Sequence, residues 1–198
     1  MISIHTHIET PATASPMQDF VARAKQLGRT HVAYTDVGLM TGLHKFYKAA
    51  EAAKIKTIPG VEIYFKDKSQ TPSTLYPRAG YFTVTLYTPT QEAFFELCKL
   101  SGKQRDKYVD KIENEVPLYN WEDLESLRGM GIEAVLAGPH SMAAKPLLAG
   151  KKIEDVRPVI ERLKSIFNLS VALIGADQSA YYRTVLTVRH NKGELELY

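Results

Sequence analysis

The sequence predicts an α/β fold built on a mainly parallel sheet or barrel, and three observations predict it. Short runs rich in β-branched and aromatic residues alternate with segments of helical period up to residue 65, in the order β-α-β-α-β. The residues able to bind metals or move protons stand at the ends of those strands, where β/α folds keep their chemistry. The chain of 198 residues, with 44% hydrophobic and 24% charged side chains, is long enough to bury one sizeable core. It is therefore read as a single domain over residues 1–198.

The first strand, around Ile2 to Ile4, runs into His5-Thr6-His7. In an extended chain residues i and i+2 share a side, so His5 and His7 can face one cation. Ser15-Pro16 reads as a helix N-cap followed by proline at the first helical position, with Met17, Phe20, Val21, Ala24 and Leu27 inward and Gly28 as the stop. His31 to Thr35 is a second strand leading to Asp36-Val37-Gly38. A helix from Thr41 follows, with Phe46, Tyr47, Ala50 and Ala53 on its apolar side, and Pro59-Gly60 leads into a third strand, Val61 to Phe65.

Residues 66–79 read as a loop, and Tyr81 to Tyr87 as a strand dominated by β-forming residues. Pro89 opens a helix carrying Phe94, Phe95, Leu97 and Leu100. The run from Lys103 to Glu115 mixes both signs and reads as a solvated face, with Lys103, Arg105, Lys107 and Lys111 as a weaker candidate phosphate surface. Trp121 to Leu127 forms a short helix, Ile132 to Leu136 a strand ending at Gly138-Pro139-His140, Ile153 to Phe167 a longer helix, and Val171 to Ile174 a last strand. A hairpin about Asn191-Lys192-Gly193 is expected in the tail.

Composition excludes several classes. Cys98 is the single cysteine, which rules out an internal disulfide or thiolate cluster and fits a reducing, cytoplasmic setting. No window has the apolar length of a membrane span, and no signal pattern precedes the first strand. Net charge is +3, a mild excess that permits an acidic or nucleic-acid partner without requiring one. Tyr34, Phe46, Tyr64 and Phe82 read as core, and His31, His44 and His190 as surface, packing or turn residues.

The strand-end residues converge on one chemistry. His5, His7, Asp36, Glu62, Thr83 and His140 follow or lie in successive strands, and imidazole with carboxylate suits zinc, manganese or iron. Each also has a plainer reading. Glu62 alternates with Val61 and Ile63 and would be an ordinary polar-face residue, and Asp36 would cap the turn at Gly38.

In order and spacing, His5 to Glu9, Arg23 to Gly28, Thr35 to Met40 with Phe46 to Ala50, and Ile55 to Tyr64 resemble the PHP (polymerase and histidinol phosphatase) domain, and most closely the form found in the bacterial DNA polymerase III alpha subunit. The resemblance is clear for residues 1–65, looser to about residue 174, and leaves residues 175–198 unplaced. It implies a distorted β/α barrel, truncated or incompletely closed here, with a metal site at one rim. The metal ligands it implies that are present are His5, His7 and Glu62, with His140 one residue late.

Elsewhere the resemblance meets substitutions. The acidic residue expected after the first histidines falls near Ala14, the histidine expected after Thr-Asp is Val37, the histidine expected in the fourth strand is Thr83, and Pro139 stands where a cysteine or histidine is expected. The closing Asp-x-His segment does not occur before Tyr198, as in an excised fragment or a reduced form. Valine and alanine offer no donor, and closely spaced cations need anionic ligands. The expectation is therefore a degenerate site, with no ion or one weakly held zinc or manganese. The implied role is a structural or interaction module of a replication protein, its partners other segments or subunits of a DNA polymerase, with DNA a further candidate and no membrane. The alternatives are an active metal-dependent phosphoesterase or 3′-5′ exonuclease, and a stand-alone relative that binds a replication partner.

Overall fold

A computed structural model describes residues 2–3, 16–38, 40–66, 80–108 and 118–172. The elements are β1 (Ile2–Ser3), α1 (Met17–Gln26), β2 (His31–Tyr34), α2 (Leu43–Ala52), β3 (Lys56–Lys66), β4 (Tyr81–Tyr87), α3 (Gln91–Tyr108), α4 (Trp121–Glu125), β5 (Glu133–Ala137), α5 (Ala144–Leu148), α6 (Ile153–Ile166) and β6 (Asn168–Ala172). This is an α/β fold on a mixed sheet. The tail hairpin lies outside the described residues, and closure into a barrel is not seen among them. No described helix is long and apolar enough to cross a membrane.

Two compact units divide the chain, Met1–Ile63 with Leu86–Pro117, and Tyr64–Thr85 with Leu118–Tyr198. In the first, β1 pairs parallel with β2 and β2 with β3, in the register His31↔Lys56 to Tyr34↔Pro59. Val32, Ala33, Tyr34 and Thr35 have no exposed surface, as expected of a parallel strand covered on both faces. The core gathers Val21 and Ala24 of α1 and Phe46 and Ala50 of α2 against Val32 and Tyr34 of β2. Phe46 meets Tyr34 at 5.6 Å between ring centroids, and the buried Tyr34 hydroxyl accepts from the Gly42 N–H at 2.9 Å.

Several expectations are corrected here. Pro16 is the N-cap of α1 rather than its first helical residue: its ψ of 145° is not helical, and its carbonyl accepts from Asp19 and Phe20. Leu27 lies past the last turn and is 52% exposed, while Gly28 at φ +66° makes the expected stop. Tyr47 and Phe95 are about half exposed, because the buried stripes, Leu43-Phe46-Ala50 in α2 and Ala93-Leu97-Leu100 in α3, are narrower than the apolar pattern suggests. Pro59-Gly60 lies inside β3, which starts earlier than expected. The Pro59 carbonyl accepts from the backbone N–H and the hydroxyl of Thr88.

In the second unit β5 and β6 pair parallel over five positions, Glu133↔Asn168 to Ala137↔Ala172. Leu124, Leu127, Ile132, Leu136 and Leu163 are its largest fully buried side chains. Asn120 and Asp123 form a reciprocal capping box at the start of α4. Arg162 of α6 lies 4.2 Å from the Trp121 ring centroid, and Glu125 receives both Arg128 and Arg162. Helix α5 is absent from the sequence reading; it spans five residues with a proline inside, too short for a helical period to register.

Gly60 is fixed by close approach, since a Cβ there would stand 2.5 Å from the Leu86 carbonyl oxygen. Gly60→Ala is expected to cost about 2 kcal/mol of stability by forcing β3 from β4. Urea denaturation checks it, and a midpoint within error of the parent would show that the strands yield at this point.

Candidate functional site

The sequence-derived site residues fall on two frames, one in each unit. In the first, the β2–β3 ladder is interrupted after Tyr34 and resumes at a parallel bridge between Val37 and Glu62, with the same spacing of 25 positions. Two backbone bonds close it: Glu62 N–H donates to the Asp36 carbonyl at 3.0 Å, and Gly38 N–H donates to the Glu62 carbonyl at 2.7 Å. Directly paired residues on neighbouring strands project to the same face, so Val37 and Glu62 are side-by-side neighbours. The Gly38 carbonyl in turn accepts from the buried Ser101 hydroxyl of α3 at 3.3 Å.

Asp36 and Glu62 are each only 5% exposed. Glu62 is thus not the solvated polar-face residue of the plainer reading; β3 is covered on both sides from Gly60 to Phe65. Tyr87, the last residue of β4, is buried, and burial together with the nearby Glu62 charge pushes its phenol well above the usual tyrosine range. Sequence reasoning placed Tyr87 in a strand but gave it no role. The only signal was its position, an aromatic hydroxyl at a strand terminus.

In the second unit Thr83, 5% exposed, forms a parallel bridge with Ser141. Thr83 N–H donates to the His140 carbonyl at 2.9 Å, and the Thr83 carbonyl accepts from Met142 N–H at 3.3 Å. The residue in register with Thr83 is therefore Ser141. His140, one position earlier, meets Thr83 through its backbone carbonyl. Pro139 and His140 form the turn after Gly138, which has φ +76°. Lys145, 9% exposed, was not singled out by sequence. Its ammonium donates to the Tyr81 carbonyl at 3.0 Å and lies 5.1 Å from the Phe82 ring centroid. The one signal was a lone lysine in an apolar stretch.

His5, His7 and Ala14 lie outside the described residues. Among the described residues, no group of three or more His, Cys, Asp or Glu side chains is placed to share a metal ion.

A PHP domain family model matches residues 2–173. The chain belongs to the PHP domain family. Among proteins similar to this PHP domain, the DNA polymerase III subunit alpha of Borreliella burgdorferi is 37% identical over 71 residues, covering 34% of this chain and 6% of the polymerase. That of Treponema pallidum is 28% identical over 134 residues, covering 63% and 11%. The error-prone DNA polymerase of Idiomarina loihiensis is 31% identical over 94 residues, covering 48% and 8%. These matches thus span about a tenth or less of each polymerase.

The PHP domain is also similar in fold to two solved structures, each 14% identical. One is a candidate metal-dependent phosphoesterase from Bifidobacterium adolescentis, with a TM-score of 0.57, and the other an amidohydrolase from Chromobacterium violaceum, with a TM-score of 0.62. Each alignment covers 99% of this chain and 84% of the other.

The described donors of this PHP domain do not fit a site for several cations. In the first unit Asp36 and Glu62 supply carboxylates, but the neighbour held beside Glu62 is a hydrocarbon, Val37.

The raised Tyr87 phenol sets an alkaline limit on stability. The folded chain holds a proton that the unfolded chain releases, so this contribution is complete below about pH 10, the ordinary tyrosine value, and is lost as pH rises beyond it. Tyr87→Phe is expected to make the urea midpoint fall less steeply with pH in that range. Equal slopes for the two proteins would remove Tyr87 from the site.

Proposed function

We propose that this PHP domain is a structural and interaction module of a DNA polymerase III alpha-like replication protein, with a metal site too degenerate for hydrolysis. The observation that carries this reading is Val37 paired with Glu62. The position that the family resemblance assigns to a histidine ligand is next to a buried carboxylate, and the side chain standing there has no donor atom. The similarity to polymerase subunits, 37% identity over 71 residues in one of them, supports the assignment to replication.

On this reading His5, His7 and Glu62, with His140 as a fourth candidate, are the remnants of the ligand set. They hold no metal ion or one zinc or manganese weakly, and the domain's contacts are to other segments or subunits of a polymerase. Nucleotidyl transfer needs an acidic centre of its own, which this proposal assigns to another part of the assembly.

Purified protein supplied with manganese, zinc or magnesium is expected to show no turnover of a phosphate ester, and no shortening of a 3′-ended oligonucleotide, above the metal-only control. Turnover that vanishes in a folded His7→Ala variant would overturn the proposal in favour of an active phosphoesterase or exonuclease.

A further inference from the structure

The first unit holds a cavity that the strand-end residues do not use. It lies over the N-terminal half of β3, between α2 and the first turn of α3, and has a volume of about 420 Å³. A second hollow of about 410 Å³ shares Thr57, Pro59 and Phe94 with it. Each volume is in the range of small-molecule sites. Leu43, Pro59 and the rings of Tyr47 and Phe94 contribute to its walls, and His44 lies three residues from Tyr47 on α2.

Two observations say what the cavity is built to take. Tyr47 is 48% exposed, one of three large hydrophobic side chains left so among the described residues, and it borders this space. An aromatic face so placed is a stacking platform, and the partly buried Phe94 borders the same space. The second observation is Thr57. Its hydroxyl oxygen is buried and has no hydrogen-bond partner among the described residues, although the residue lines the cavity. An unsatisfied buried hydroxyl is costly, and a χ1 rotation that brings it to a ligand's acceptor would relieve that cost.

We propose that this cavity binds a planar heteroaromatic ring of the nucleobase type, stacked on Tyr47, with a ring carbonyl accepting from the Thr57 hydroxyl and the polar edge toward His44. The ring comes either from a free nucleoside or from a base of a single strand. The proposal stands apart from the polymerase-module reading, since none of its residues belongs to the metal-ligand set.

The test is calorimetric titration of the protein with thymidine, with a twelve-residue oligothymidylate, and with cyclohexanol as an aliphatic control. Thymidine is expected to bind, and Tyr47→Ala to weaken it roughly tenfold at unchanged melting temperature. Thr57→Val, which keeps the shape and removes the hydroxyl, is expected to weaken thymidine binding while raising the melting temperature. Tighter binding of the oligonucleotide, lost in Tyr47→Ala, assigns the ring to a strand; equal affinity per site assigns it to a nucleoside. No thymidine binding, binding that neither variant weakens, or cyclohexanol binding as well as thymidine would each overturn the proposal.

Discussion

The parallel bridge between Val37 and Glu62 is the constraint on which the first unit's chemistry depends. The chain leaves β2 after Tyr34, yet the bonds from Glu62 N–H to Asp36 and from Gly38 N–H to Glu62 return it to the same register three residues later. A slip of one residue would turn Glu62 to the opposite face and part it from Val37. Because the bridge is made by backbone, it holds whatever side chain occupies position 37. The frame can thus persist with a hydrocarbon at position 37, and it still presents a buried carboxylate that adds to the effect of burial in raising the Tyr87 phenol.

The second unit uses the same device at Thr83 and Ser141. There too a parallel bridge made by backbone joins a strand to the segment that follows another, with hydroxyl residues at the paired positions. A neutral hydroxyl in a buried frame has a smaller desolvation cost than an imidazolium or a carboxylate. Lys145 is the exception, and it is held by the Tyr81 carbonyl and the face of Phe82. Such contacts serve a structural ammonium as well as a functional one.

The strands were the most legible part of the chain. Tyr81 to Tyr87 was found at its observed limits, because β-branched and aromatic residues dominate it without interruption. The start of β3 was hidden by Pro59-Gly60, which has the composition of a turn but is held in the strand by Thr88 and by the Leu86 backbone. Helix faces were legible in direction but not in width, as Tyr47 and Phe95 show. At the site, residue types and the family resemblance identified Glu62 and Val37 as positions to watch. That the two are paired is a matter of register, which no local pattern encodes. Tyr87 and Ser141 were missed for the same reason, since their importance comes from what lies across the sheet.

The central claim is that the frame around Glu62 is set by backbone pairing and needs no bound cation. Native-state hydrogen exchange at the Gly38 and Glu62 amides, measured in excess EDTA, tests it most directly. Protection comparable to that of the β2 core amides is expected, unchanged when manganese or zinc replaces the chelator. Rapid exchange at these two amides in EDTA, slowed when metal is added, would contradict it and make the metal the organiser of the site.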